Sequence, residues 1–384
     1  CNFIYNFVLR NGKKFMIINN QTYGDVWQSC LSRIREHTSD EEFAKWFKPI
    51  VPLELTLTPQ KHILVISGPN AGGKSNLFLA MHRMFDAVSY PIYLLSRKDE
   101  ATKDVPRPKV KGTDAFRFDD VHPSEPSDFE IYFRTKSQEF RYTLSFDAEG
   151  ITSESLTRKN VGGTRTAMLF ERMGDEVELG SALKRARANT SFNTDIPYLS
   201  FLALNYDIEF VDMAAEWITS ARFIDFDFRF EELILEKMLE QEEEGVIVGI
   251  LKAAGINIDG FRVEGGEDDL ENKRVWVRHI VNGKPYELRL GKESAGTRKM
   301  MSMAVALDDA LKMGSLLVID ELDSKLHPKL LRFIILLFQD PDINKNGAQL
   351  IFTSQDVSIM KNDVFRRDGT AVFCEAPITF TQAV

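Results

Sequence analysis

Apolar positions along the chain fall into two periods, and the switches between them predict its elements. Residues 62–67, HILVIS, form a short run rich in β-branched side chains, the pattern of a strand buried on both faces. The helical spacing of NLFLAMHRMF follows it. Pro106, Pro108, Pro123 and Pro126 then punctuate a loop, after which FEIYF and FRYTLSF alternate as strands of a meander. Residues 195–255 change to helical spacing and close on EKMLEQEEEG, an acidic run that reads as a solvated helix face. Residues 274–280 and 286–290 read as a hairpin turned at Asn282-Gly283. The last part alternates helix, strand, helix, strand in MMSMAVALDDALK, SLLVID, KLLRFIILLF and AQLIFTS. That is the layout of a sheet with helices on its faces, so the expected class is α/β. At the other end, Trp27, Leu31, Ile34, Phe43 and Trp46 show helical spacing over residues 26–47, with Ser39-Asp40-Glu41-Glu42 as a helix start inside it, which predicts a small helical cap. The expected organisation is a helical extension over 1–57, a first lobe over 58–104, an inserted β and helical subdomain over 105–270, and a second lobe over 271–384.

Composition narrows the setting. A chain of 384 residues with 43% apolar content is long enough for two or three structural units. A net charge of −9 argues against a whole-surface nucleic-acid binder and leaves a local basic patch open. Cys1, Cys30 and Cys374 lie far apart and give neither a disulfide framework nor metal-ligand spacing, which fits a reducing compartment. No apolar run approaches the roughly 20 residues needed to span a bilayer. The apolar opening CNFIYNFVL has its positive charges behind it, at Arg10, Lys13 and Lys14, and not in front as a secretory signal would. A cytoplasmic protein without a membrane partner is expected. The chain opens on Cys1 with Met16 close behind, so its first fifteen residues read as a tag, an upstream extension or the edge of a fragment.

The chemistry concentrates in the strand-flanking loops. Gly68-Pro69-Asn70-Ala71-Gly72-Gly73-Lys74-Ser75 fits G-x-x-x-x-G-K-[ST], with a buried strand running in and a helix running out. The glycines let backbone N–H groups wrap a phosphate, and the helix N-terminus adds partial positive charge. Lys74 is placed between the β- and γ-phosphates of ATP, and the Ser75 hydroxyl is placed to coordinate Mg²⁺. Further on, SLLVIDELDSKLHP delivers Asp320 and Glu321 at the carboxyl end of a buried strand, where open α/β sheets bind ligands. Asp320 is expected to hold Mg²⁺ through its water shell, and Glu321 to polarise the attacking water as general base. Between the two stands Glu293-Ser294-Ala295-Gly296-Thr297-Arg298-Lys299, with Ser294 as helix cap and free N–H groups behind it.

These motifs carry resemblances. Asn70 after Gly-Pro and Asn76 after Lys-Ser are the form seen in ABC, SMC, RecF and MutS-like ATPases. ESAGTRK, set between the two acidic and phosphate motifs, is similar to the signature motif of ABC and SMC ATPases. PSDFEIYF, GITSESL, LFERMGDEVEL, ILKAAGINI, LGKESAGTRKM, LLVIDELDSKLHP and NGAQLIFTSQDVSIM follow one another in order. Together they resemble the SMC-like AAA ATPases of prokaryotic abortive-infection and overcoming-lysogenization defence systems. The resemblance implies a P-loop head with a β and helical insertion. It implies a homodimer with ATP between two heads, in which Ser294 and Gly296 meet the γ-phosphate bound by the opposite subunit and Asp323 reaches across as the D-loop residue. It further implies phage sensing and release of a separate toxic or nucleolytic effector. VWQSCLSRIREHTSDEEFAKWFKPIVPLEL resembles the start of the N-terminal domain of the replication initiator DnaA.

The sequence departs from this family in places. Gln355 stands where relatives place a switch histidine; it can bond a phosphate but carries no proton, so slow hydrolysis with binding preserved is expected. The strands usual before the phosphate loop are not evident. No acidic cluster resembles a Toprim nuclease site, so no intrinsic nuclease activity is expected. His327 beside Pro328 reads as part of a turn, and Lys184, Arg185, Arg187, Arg366 and Arg367 as dispersed surface charge. Two other readings stay open: a RecF- or MutS-like DNA-repair ATPase that clamps a duplex, and an ATP-binding interaction protein with little turnover.

Overall fold

The computed structural model describes residues 5–10, 54–57, 62–67, 74–96, 108–110, 126–225, 244–264, 274–323, 328–354 and 370–373. The chain divides into two units, one gathering Leu57–Phe85 and Glu216–Ile378, the other Ile4–Thr56 and Asp86–Ala215.

The first unit is built on five parallel strands in the order β15 (Thr370–Phe373), β3 (Ile63–Ser67), β14 (Gln349–Ser354), β13 (Leu316–Asp320) and β9 (Arg222–Asp225). Every residue of β13 and β14 is buried, which is why Leu316–Ile319 and Leu350–Phe352 read as apolar runs. α1 (Lys74–Ser96) follows β3, α6 (Ala295–Met313) leads into β13, and α7 (Pro328–Gln339) stands between β13 and β14. Met300, Met301, Met303 and Leu307 of α6 share one core with Ile334, Ile335 and Phe338 of α7 and with Leu317, Ile319, Leu350 and Phe352 of the strands. Gly314 ends α6 in the left-handed region at φ 67°, where a Cβ would strike the Asn346 carbonyl oxygen. The Asn346 amide in turn donates to the orphan carbonyls of Leu311 and Lys312 at 3.2 and 2.8 Å. Beside this core, α5 (Glu244–Ala253) adjoins an antiparallel sheet of β10 (Gly260–Glu264), β11 (Arg274–Val281) and β12 (Lys284–Arg289). The Asn282-Gly283 turn joins β11 to β12 with φ 52° and 74°, the paired positive values a two-residue hairpin needs.

The second unit is an antiparallel meander in the order β2 (Glu54–Leu57), β1 (Tyr5–Arg10), β4 (Ser127–Arg134), β5 (Gln138–Phe146), β6 (Ile151–Asn160), β7 (Thr166–Met173) and β8 (Glu176–Leu179). Alternation on β5 buries Phe140, Tyr142 and Leu144; Phe133 stacks on its cross-strand partner Phe140 at 5.1 Å. The helices α2 (Ser181–Arg185), α3 (Tyr198–Asn205) and α4 (Glu209–Ser220) follow. At the centre lies an ion pair of cross-strand neighbours, Glu154 and Arg172, each 1% exposed. Glu154 accepts from the backbone N–H groups of Tyr198 and Leu199 at 2.6 and 2.9 Å and from the Tyr142 hydroxyl at 3.0 Å, so it caps α3 from below. Arg172 donates to the carbonyls of Gly174, Ile196 and Thr194. Burial raises the Glu154 pKa, against the pull of Arg172 and the three donors.

Three expectations are corrected. Strands do precede the phosphate loop: β1 and β2 lie in the stretch read as a helical extension, whose helical part, residues 26–47, falls outside the described residues. The stretch 195–255 is not helical throughout, since β9 interrupts it and forms the edge of the parallel sheet. The hairpin has a third strand, β10. β1 and β9 are short and pair with residues far away in sequence, and β10 is only five residues long, so local periodicity does not mark them. Among the described residues, no helix is long and apolar enough to cross a membrane.

Candidate nucleotide site

Strand register sets the site. Ser67 pairs with Ser354 across β3 and β14, Ile319 with Phe352 across β14 and β13, and Asp320 with Asp225 across β13 and β9. The carboxyl ends of four parallel strands therefore form one row, and the motif residues leave from it. Lys74 opens α1 after the loop that follows β3, and its side chain is only 7% exposed. Ser75 is exposed and Asn76 half-buried in the same first turn. Gly68, Pro69, Asn70, Ala71, Gly72 and Gly73 lie outside the described residues, as does Gln355.

Asp320 is the last residue of β13 and is 6% exposed. Beside it, on β14, stands Thr353, 1% exposed, whose hydroxyl donates to Asp320 Oδ1. The Thr353 hydroxyl oxygen accepts from the backbone N–H of Glu321 at 2.7 Å, and the Thr353 carbonyl accepts from the N–H of Leu322 at 3.1 Å. Glu321 itself sits in the left-handed region at φ 48°. For a residue with a Cβ this costs about 1–2 kcal/mol, and Thr353 supplies the bonds that hold it. The turn breaks the two-residue alternation of β13, so the Glu321 side chain leaves at an angle that a continued strand would not give it. Asp323 follows in this turn, half-buried.

The signature segment opens α6. Ser294 caps α6 as expected: its hydroxyl accepts from the Thr297 N–H at 3.1 Å and lies 2.9 Å from the Thr297 hydroxyl. Ser294 is exposed and Gly296 half-buried, and among the described residues no hydrogen bond joins either to Asp320 or Thr353. Glu293, just ahead of the cap, is held by His279 of β11, with Nε2 at 2.7 Å from Glu293 Oε1 and Nδ1 at 3.0 Å from the Asn257 carbonyl. Both ring nitrogens face acceptors, so both bonds form together only when the ring is doubly protonated. Burial works against that charge, but the Glu293 and Asn257 bonds outweigh it and raise the His279 pKa.

Thr353, His279 and Asp225 are site neighbours that sequence reasoning gave no role. The signal for Thr353 was its place at the end of a buried strand, two residues before Gln355. A hydroxyl at Ser75 and a buried carboxylate at Asp320, with Oδ1 taken by Thr353 and Oδ2 left, are hard oxygen donors of the kind Mg²⁺ takes. Among the described residues, no group of three or more His, Cys, Asp or Glu side chains could hold a metal ion by itself.

Residues 63–361, most of the chain, match the family model described as "AAA domain, putative AbiEii toxin, Type IV TA system". Residues 24–71 match the DnaA N-terminal domain. No curated protein matches the chain. Among solved structures, the SMC head bound to the C-winged helix domain of ScpA is 11% identical, over 80% of this chain and 86% of that one, at a TM-score of 0.36. The SMC head with an extended coiled coil, bound to the C-terminal domain of ScpA derived from Pyrococcus furiosus, is 12% identical over 80% and 86%, at 0.34. The recombination mediator protein RecF with ATP is 12% identical over 80% and 90%, at 0.28. With scores this low, the superpositions add nothing to what the chain's own topology and family establish.

Proposed function

The chain belongs to the AbiEii-like AAA-domain family of ATPases, and from that premise we propose that it is a slow, ATP-gated dimeric switch that senses or scaffolds in phage defence. The observation that carries the reading is the placing of Lys74 and Asp320, both buried, at the same carboxyl edge of one parallel sheet. In this reading Lys74 lies between the β- and γ-phosphates, and the N–H groups of residues 68–73 and Asn76 surround them. Ser75 and Asp320 would hold Mg²⁺, which neutralises charge on the phosphates when bound. Glu321 accepts a proton from the attacking water as general base. Gln355 bonds the γ-phosphate without taking a proton, and turnover stays slow. Gln355→His is therefore expected to raise turnover by about tenfold or more; unchanged turnover would remove Gln355 from the site.

Ser294 and Gly296 support the dimeric part. They stand at a capped helix start, Ser294 exposed and Gly296 half-buried, and among the described residues make no hydrogen bond to the chain's own Asp320–Thr353 cluster. A γ-phosphate held by a second copy is the partner proposed for them, with Asp323 reaching across the same junction. Closing and opening of that junction would hold or free a separate nuclease or toxin subunit. The deciding measurement is the solution mass of Glu321→Gln with and without Mg-ATP, with Lys74→Ala as the non-binding control. Doubling of mass on ATP is expected; a variant that binds ATP yet stays monomeric overturns the model.

A further inference from the structure

We infer that Thr353 is a positioning residue for ATP hydrolysis, acting through Glu321 and Asp320; the inference rests on the nucleotide site proposed above. One buried hydroxyl is shared between the two acids. It donates its single proton to Asp320 Oδ1 and accepts the Glu321 backbone N–H at 2.7 Å. The neighbouring carbonyl of the same residue takes the N–H of Leu322, a side chain that is fully buried. Three consecutive residues, Asp320, Glu321 and Leu322, are therefore fixed by a single residue of the adjacent strand.

Two consequences follow from the chemistry of a hydroxyl. A donor to Oδ1 keeps the Asp320 carboxylate in one orientation and leaves Oδ2, which would face the water shell of a bound Mg²⁺. An acceptor for Glu321 N–H holds that residue at φ 48°, a backbone state that a glutamate adopts only under constraint. General-base catalysis depends on the acid lying within hydrogen-bond reach of the attacking water. The position of the Glu321 carboxylate follows from its backbone, and its backbone is held by Thr353. The Lys74 and Ser75 side, which binds the phosphates, makes no hydrogen bond to Thr353 among the described residues. Binding and turnover should thus separate.

The test compares Thr353→Val, which keeps the shape and removes both hydroxyl bonds, with Thr353→Ser, which keeps them. Both are made in the full chain and assayed for steady-state ATP turnover and ATP affinity. Thr353→Val is expected to lower kcat at least tenfold with the dissociation constant for ATP within about threefold of wild type. Thr353→Ser is expected to restore turnover to within about twofold. In a Glu321→Gln background, Thr353→Val should subtract less than it does in the wild type, since the share of its effect that acts through Glu321 is already gone. Should Thr353→Val not fold, Thr353→Ala carries the same comparison. Wild-type kcat in the hydroxyl-free variant, a loss confined to ATP affinity, or a full further loss on top of Glu321→Gln would each overturn the inference. Turnover that depends on Lys74 but not on Thr353 leaves the nucleotide site standing and removes only Thr353. Turnover that does not depend on Lys74 removes the site, and the inference with it.

Discussion

Two buried carboxylates divide the molecule's chemistry between its two units. Glu154 in the meander and Asp320 at the end of β13 are 1% and 6% exposed, and each sits beside a strand neighbour that bonds it. Their surroundings differ. Glu154 is saturated: two backbone N–H groups, a tyrosine hydroxyl and the Arg172 guanidinium meet its two oxygens. Asp320 has Thr353 on one oxygen and, among the described residues, no further hydrogen-bond partner. A buried charge that is fully paired is part of the structure, whereas one with an oxygen left over is a place for something else to bind. Burial alone does not separate the two; the count of donors does.

The comparison breaks most sharply at Glu154. Glu154→Ala should leave Arg172 charged and buried and destabilise the protein by about 3–5 kcal/mol, lowering the thermal midpoint by on the order of 10 °C. Glu154→Leu combined with Arg172→Met should recover much of that loss, because no charge then stays uncompensated. A small effect of Glu154→Ala alone would mean that the network is worth less than its geometry implies. Asp320→Asn keeps an oxygen for Thr353 and should move stability by less than about 1 kcal/mol, while Mg²⁺-dependent turnover falls by about 100-fold. Unfolding of Asp320→Asn on the scale of the Glu154 variant would erase the distinction between the two sites.

The smallest effect belongs to a third pair, His279 and Glu293. The folded-state pKa of His279 lies above its usual value, so the pair's contribution is complete below about pH 6.5 and fades as pH rises through the raised folded-state value. The imidazole is partly solvated, so the contribution is about 1 kcal/mol. His279→Gln should flatten the pH dependence of the melting temperature over that interval, which a series of thermal melts at constant ionic strength would read. An unaltered slope would show that the ring is neutral in the folded protein.

What the sequence made legible follows the same division. β13 and β14 are buried on both faces, so their apolar runs announce themselves, and Asp320 and Glu321 are found by counting to the end of the run. The Asn282-Gly283 turn is legible because few other residues tolerate its positive φ values. Ser294 is legible as a cap because capping is local. Glu154, by contrast, looks like any strand residue: its partners Tyr198 and Leu199 lie 44 and 45 positions away. Thr353 reaches back 32 and 33 positions to Glu321 and Asp320. β9 finds its place by pairing with β13, far along the chain. Periodicity records which face of an element is buried, and it carries no record of which distant group waits there.

The left-handed backbone of Glu321 has a consequence for how such a site is kept. Glycine would occupy φ 48° without steric cost, so Glu321→Gly relieves the turn while abolishing the carboxylate. Selection for stability alone would drift toward glycine there; in the proposed site, the glutamate is kept for its carboxylate. A thermal melt of that variant at or above the wild-type midpoint, alongside lost turnover, would display the trade directly.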